Sequence, residues 1–181
     1  MTELAWATLS SPVGPLAVAC SANGVARVNF RASASLASQP GADGAGADRD
    51  NMLGVARDQL AEYFAGQRRA FDLPIDWAGT SRAQHRVLSV LFDSIGYGQT
   101  ITYGDLAQRA VAGPDGISLP ARAIGRIMGS NPLPVIVPCH RVVAGNGLGG
   151  YSGGTGIEIK RWLLIFEGAL PATLDWAAAR A

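Results

Sequence analysis

Apolar and polar positions change their period twice along this chain of 181 residues. The first thirty residues hold short apolar stretches at Leu4–Leu9, Leu16–Cys20 and Val25–Phe30. Ser10-Ser11-Pro12-Val13-Gly14-Pro15 separates the first two and Asn23-Gly24 the second pair, so turn chemistry divides runs of strand length. Residues 32–50 are mostly Ala, Ser, Gly and Asp and read as a surface loop. Met52, Leu53, Ala56, Leu60, Tyr63 and Phe64 then recur at helical spacing, with Gly66 as the stop. Phe71 to Trp77 alternates like a strand, and Pro74 marks it as an edge. Ala78-Gly79-Thr80 is the candidate boundary, which divides the chain into 1–79 and 80–181.

Beyond that boundary the period is helical. Ser81 suits the cap of a helix whose stripe is Val87, Leu88, Leu91, Phe92 and Ile95, stopped by Gly96-Tyr97-Gly98. Thr102-Tyr103-Gly104-Asp105 resembles a capping box, followed by Leu106, Ala107, Ala110 and Val111. After a Gly- and Pro-rich stretch, a third helix is predicted from Ser118 to Ser130. Two short helices joined by a turn suggest a helix-turn-helix. In the third helix Ala121, Ile124, Ile127 and Met128 form the apolar side. Arg122, Gly125, Arg126 and Gly129 fall at i, i+3, i+4 and i+7 on the other. Interior glycines cost a helix up to ~1 kcal/mol each. That cost is tolerated where something approaches the backbone closely: a nucleic-acid groove, or a neighbouring helix with the arginines in solvent.

Composition narrows the classes. Hydrophobic residues make up 48%, ample for a core, and the formal net charge of +1 provides no global field for a polyanion. Any nucleic-acid contact must therefore come from a local patch. Two cysteines, Cys20 and Cys139, lie far apart and form neither a disulfide pattern nor a metal-ligand one. No apolar run approaches the ~20 residues a membrane span needs. Without a signal-peptide pattern at the start, a cytoplasmic chain with reduced thiols is expected, associated with the nucleoid if bacterial.

The strongest chemical signal is Pro134-Val-Ile-Val-Pro-Cys-His-Arg-Val-Val143, which places Cys139 beside His140 behind an apolar run and Pro138. A thiol screened from water next to a base suits a nucleophile, because neighbours set how much thiolate exists. A buried cysteine that merely packs is the equally weighted alternative. In an extended segment the two side chains would point apart, which argues against a directly paired Cys-His hydrolase.

From Tyr103 to Glu167 the chain closely resembles the methylated-DNA–protein-cysteine methyltransferases, or O6-alkylguanine-DNA alkyltransferases. The resemblance rests on Thr102-Tyr103-Gly104, Ala121-Arg122-Ala123-Ile124-Gly125, Asn131-Pro132, Pro138-Cys139-His140-Arg141-Val142 and Gly150-Tyr151-Ser152-Gly153-Gly154. Lys160 and the Leu163-Leu164…Glu167-Gly168 ending complete it. It implies an α+β chain: a small N-terminal α/β domain, ribonuclease H-like, and a mostly helical, winged-helix-like C-terminal domain carrying the helix-turn-helix. It further implies a single irreversible transfer of an alkyl group from O6-alkylguanine, and from O4-methylthymine, to Cys139.

The same resemblance implies a water between Cys139 and His140, Glu167 on the far side of the imidazole, and Asn131 as a hinge. Tyr103 would help rotate the target nucleotide, and Arg122 would fill the space it leaves. Ala121, Gly125, Arg126 and Gly129 would meet the minor groove. Tyr151, Ser152, Val135 and Gly153 would hold the flipped base. The implied partner is double-stranded DNA bearing alkylated bases, met by a monomer, with cooperativity along DNA left open; no membrane and no cofactor enter. Some relatives carry a structural zinc, but Cys20 has no histidine nearby, so none is expected here.

This chain departs from the family in three places. Residues 111–120 are longer than the usual turn, Gly96 stands where many relatives have proline, and in the helix after the boundary Ala83 and Ser89 or their neighbours stand where Phe and Trp are common. The competing readings are an alkyltransferase-like protein that recognises damage without repairing it, a methylation-responsive regulator and a cysteine hydrolase. Cys139 argues against the first, since such proteins replace the cysteine.

Overall fold

The computed structural model describes residues 4–30, 47–112, 118–150 and 156–172. Its N-terminal part is an antiparallel sheet of β1 (Ala5–Leu9), β2 (Leu16–Ser21) and β3 (Gly24–Phe30) in the order β1-β2-β3. β2 runs through the middle, and every residue of it is buried. This is why it reads as a continuous apolar run rather than an alternating one. The β2–β3 hairpin pairs Ser21 with Gly24, so the turn residues are Ala22 and Asn23, one position before the Asn-Gly pair expected from sequence. Gly24 has φ 150, and a Cβ there would sit 2.4 Å from the Pro74 carbonyl oxygen. Glycine is needed at 24 for close approach to Pro74 rather than for the turn.

Helix α1 (Ala47–Phe64) lies against all three strands and buries Leu53, Ala56, Leu60 and Tyr63. It already includes Ala47 to Asp50, which the sequence reading assigned to the loop; residues 31–46 of that loop lie outside the described residues. Phe71 to Trp77 is not a strand. It makes one bridge, Val25 to Ile75, through Val25 N to Pro74 O and Asp76 N to Val25 O. The Gln59 amide engages both the N–H and the C=O of Asp72, and Pro74 has no N–H, so backbone pairing does not extend. This segment and Pro132, whose carbonyl accepts from Val28 N, occupy part of the outer edge of β3.

The C-terminal part packs α2 (Arg82–Ser94), α3 (Tyr103–Val111) and α4 (Ala121–Gly129) together. Ser81 caps α2 in a complete capping box with Gln84. Thr102 caps α3 through Asp105 N, and its hydroxyl donates to Asp105 Oδ2 at 2.7 Å, so the carboxylate returns to the side chain rather than the backbone. α4 starts at Ala121 rather than Ser118, because Pro120 serves as its N-cap in extended conformation. Ala121 is exposed, not on the buried side with Ile124, Ile127 and Met128. The insertion between α3 and α4 falls largely at residues 113–117, outside the described residues. A two-residue parallel pair, β4 (Ile101–Thr102) with β5 (Val142–Val143), ties the start of α3 to the segment after Cys139. Helix α5 (Ile157–Phe166) ends the described core.

Candidate active site

The site is built on the stretch from Asn131 to Val143, where residues 133–142 are all buried. The Asn131 amide holds this loop from within, Oδ1 accepting from Leu133 N at 3.0 Å and Nδ2 donating to Val137 O at 2.9 Å. The loop tip, Val135, is fully buried with φ 76. That region is strained for a β-branched residue, at a cost of about 1–3 kcal/mol. Cys139 to Arg141 then forms one 3-10 turn, not the extended segment assumed from sequence. The compact turn lets Cys139, His140 and Arg141 all be buried from consecutive positions. Cys139 is 3% exposed and forms no disulfide.

His140 and Glu167 meet as expected, Nε2 to Oε1 at 3.0 Å, with both side chains buried. Three further groups converge on the same carboxylate. Arg141 donates Nε to Oε2 and Nη2 to Oε1, each at 2.9 Å, while its Nη1 donates to Ile95 O. Tyr63 Oη donates to Oε1 at 2.7 Å from α1, and Gly98 N to Oε2 at 3.3 Å. Burial pushes the Glu167 carboxyl up, but the hydrogen bonds and charges of His140 and Arg141 outweigh it and hold the group well below the usual carboxylate range. Burial lowers His140 and outweighs the opposing pull of Glu167, so the imidazole is neutral at pH 7. An anionic acceptor at Nε2 places the proton there and leaves Nδ1 as the basic nitrogen. Nδ1 is buried and has no hydrogen-bond partner among the described residues.

Lys160, close enough to feel the Cys139 charge, is fully buried, with Nζ donating to Val142 O at 2.6 Å and Gly150 O at 3.2 Å. Burial lowers its pKa to about 8, against the raising effect of Cys139. Tyr103 Oη donates to the same Gly150 carbonyl at 3.2 Å, and the Lys160 ammonium lies 5.7 Å from the Tyr103 ring centroid. Burial, and secondarily Cys139, raises the Tyr103 pKa. Gly149 has φ 68, and a Cβ there would stand 2.9 Å from the Tyr103 ring, so only glycine fits. The second cysteine offers a contrast: Cys20 is buried in β2, and desolvation pushes its thiol up to about 11.

A groove of about 530 Å³ opens above these groups, lined by Tyr103, Ala121, Arg122, Gly125, Met128, Gly129 and Gly150. It joins the Gly/Arg side of α4 to Tyr103 and Gly150, the pair that shares a hydrogen bond beside Lys160. A Cβ built on Gly125 meets nothing within 4 Å among the described residues, so no described neighbouring helix explains this glycine. Arg126 is exposed on α4 but does not line the groove. Tyr151, Ser152 and Gly153 lie outside the described residues.

Sequence reasoning missed Arg141, Tyr63 and Gly98 as carboxylate partners. An arginine followed directly by Val142-Val143 hinted at burial, and burial demands an anion. Tyr63 carried no such hint, because its spacing marks only a core position.

The family model described as "6-O-methylguanine DNA methyltransferase, ribonuclease-like domain" matches residues 4–77, and the corresponding "DNA binding domain" matches 82–169. A methylated-DNA–protein-cysteine methyltransferase of Methanosarcina acetivorans is 35% identical over 165 residues, covering 91% of this chain and 98% of the relative. A protein of Thermus thermophilus named "DNA base-flipping protein" is 37% identical over 164 residues, covering 90% and 99%. The crystal structure of Mycobacterium tuberculosis OGT in complex with DNA superposes with a TM-score of 0.70 at 34% identity, covering 91% of this chain and 93% of that one. With matches across both parts and nearly the full length of these relatives, the chain belongs to the methylated-DNA–protein-cysteine methyltransferase family.

Proposed function

We propose that this chain repairs DNA by moving an alkyl group from O6-alkylguanine, and from O4-methylthymine, onto Sγ of Cys139, once per molecule. The carrying observation is the buried turn that sets Cys139 beside a neutral His140 fixed by Glu167, with Tyr103, whose phenol feels the Cys139 charge, lining a groove along a glycine-bearing helix. Cys139 also separates this reading from damage recognition without repair, while the base flipping for which the Thermus thermophilus relative is named is common to both.

The chemistry follows from the site. His140 Nδ1 accepts the thiol proton through a water while Nε2–H stays on Glu167, so charge develops on an imidazole already oriented for it. The thiolate attacks the alkyl carbon in line, the C–O bond breaks, and its electron pair stays on O6. The guanine takes up a proton as it leaves. The product thioether cannot be displaced by any neighbouring base, which makes the transfer irreversible. Tyr103, Tyr151, Ser152 and Gly153 hold the base, with Val135 shaping the pocket floor and donors near O6 assisting departure.

A thiol that is 3% exposed is out of reach of a stacked guanine, so the nucleotide leaves the duplex. α4 enters the minor groove, where Ala121, Gly125 and Gly129 permit close approach; Arg122 fills the vacated stack and Arg126 meets phosphate. Asn131 fixes the loop between α4 and Cys139. We place the division between structural and transferring parts at 79/80, and take the active form as a monomer working in the cytoplasm or on the nucleoid. No described helix is long and apolar enough to cross a membrane.

The test is intact-protein mass after incubation with a duplex carrying one O6-methylguanine, followed by peptide mapping. A single methyl increment on the Cys139 peptide, saturating at one per protein, is the expected result. Tight binding with no increment would leave damage recognition as the function.

A further inference from the structure

Glu167 Oε1 accepts from three donors at once: Tyr63 Oη at 2.7 Å, Arg141 Nη2 at 2.9 Å and His140 Nε2 at 3.0 Å. A carboxylate oxygen has about two lone-pair sites, so these donors compete. Two of them come from the Cys139 turn. The third comes from α1, in the part matched by the ribonuclease-like model, 104 positions away in sequence. We infer that Tyr63 is a positioning residue of the transfer chemistry: by drawing on Oε1 it sets how strongly Glu167 holds the His140 N–H, and so how readily His140 takes the thiol proton. This deepens the proposed function and rests on it only for the identity of the alkyl donor.

The phenol is built for a fixed role. Its ring is packed by Phe64, Phe71, Tyr97 and Phe166, with centroids at 5.1, 5.4, 6.2 and 5.6 Å, so the hydroxyl has one direction. Burial and the adjacent Glu167 charge keep the phenol protonated far above its ordinary range, so it donates at every working pH. The charged and titratable groups facing His140 are Lys160 from α5, Glu167 at the cap of that helix and Arg141 from the His140 turn. Tyr63 from α1 and Gly98 N act through Glu167. Removing the Tyr63 hydroxyl frees Oε1 for His140, strengthens that bond and raises the basicity of the imidazole. His140 is then protonated, and unable to accept the thiol proton, at a higher pH.

Two full-length variants separate this from packing. Tyr63→Phe keeps the ring; Phe71→Leu loosens the same ring stack without touching the carboxylate. Each is assayed from pH 5 to 9 by iodoacetamide labelling of Cys139, read by peptide mass, and by single-turnover methyl transfer from the O6-methylguanine duplex. Tyr63→Phe should move the acid limb of both profiles upward by about one pH unit, while Phe71→Leu lowers Tm and leaves the limb in place. Overlaid profiles for Tyr63→Phe, or an equal shift in Phe71→Leu, would overturn the inference. Should Tyr63→Phe fold poorly, site-specific 3-fluorotyrosine at 63 gives a stronger donor and the opposite sign: a limb moved downward supports the role, and an unmoved one overturns it. Loss of DNA-dependent transfer in the wild type alongside a shifted labelling limb would sink the repair reading and leave the Tyr63 role standing.

Discussion

Arg141 closes a two-point fork on Glu167, Nε on Oε2 and Nη2 on Oε1, both at 2.9 Å, in a part of the molecule where the Glu167 side chain is fully buried. A lysine cannot reproduce two parallel donors or also reach the Ile95 carbonyl. Arg141→Lys should cost about 2–3 kcal/mol, and Arg141→Ala about 3–5 kcal/mol through the buried charge it leaves short of partners. Urea denaturation of both variants checks the order; equal stability to wild type would show that the fork adds nothing.

Gly125 supports a prediction with two opposite signs. Among the described residues nothing outside the helix's own backbone lies within 4 Å of the missing Cβ, and the residue sits inside α4. Gly125→Ala should therefore raise the stability of the free protein by ~0.5–1 kcal/mol. The same methyl should weaken duplex binding, because it stands on the groove-facing side. Thermal melts and fluorescence anisotropy with duplex DNA read the two effects; unchanged affinity would remove α4 from the interface.

Cys139→Ser should abolish methyl transfer and leave binding to O6-methylguanine duplex largely intact. Cys20→Ser should retain transfer, since Cys20 is buried within β2. Peptide mass mapping distinguishes the acceptor, and any methyl found on Cys20 would contradict the assignment.

Acid should destabilise this protein in two steps. His140 is held neutral by burial, so the unfolded state binds a proton first as pH falls below its ordinary value near ~6.5. The Glu167 carboxyl is held low, so its contribution is fully present above the ordinary carboxylate value near ~4.3 and is lost as pH falls below it. Tm should decline from about pH 6.5 and steepen below about pH 4.5. Calorimetry across this range tests the sign, and a Tm rising with acid would refute the buried ion pair.

Lys160 predicts an alkaline limb. With a pKa of about 8, its ammonium is neutralised at mildly basic pH and the positive charge near Cys139 is lost. Transfer should slow above about pH 8 in the wild type, and Lys160→Met should be slower by roughly tenfold with that limb gone. For stability the sign is reversed: the cost of burying the charge is relieved as pH rises from about 8 toward ~10.4. A rate profile flat from pH 7 to 9.5 would separate Lys160 from the chemistry.

Local signals were legible wherever one stretch of chain determines its own structure. Ser81 with Gln84 and Thr102 with Asp105 form caps because the partners are three residues apart. The apolar stripe of α2 and the Gly/Arg side of α4 likewise follow from helical spacing. Alternation misled at Phe71 to Trp77, because a strand also needs a free backbone partner, and the Gln59 side chain had taken Asp72. β4 and β5 are two residues each, too short to show any period. The motif around Cys139 and the resemblance together anticipated the contact of Glu167 with His140. No local pattern marks the convergence of Tyr63, Gly98 and Arg141 on that carboxylate, because it arises only when distant segments pack.

The strained tip at Val135 and the Asn131 clasp belong to the segment that carries the acceptor thiol, and the Glu167 carboxylate knots that segment to the rest of the fold. Opening that segment would break contacts reaching back into α1, so its amides should exchange with deuterium almost as slowly as the whole molecule unfolds. Most reactive sites are drawn from the loosest parts of a fold; this one is anchored among the tightest. The thiol does not come out to meet its substrate, so the travelling is left to the base.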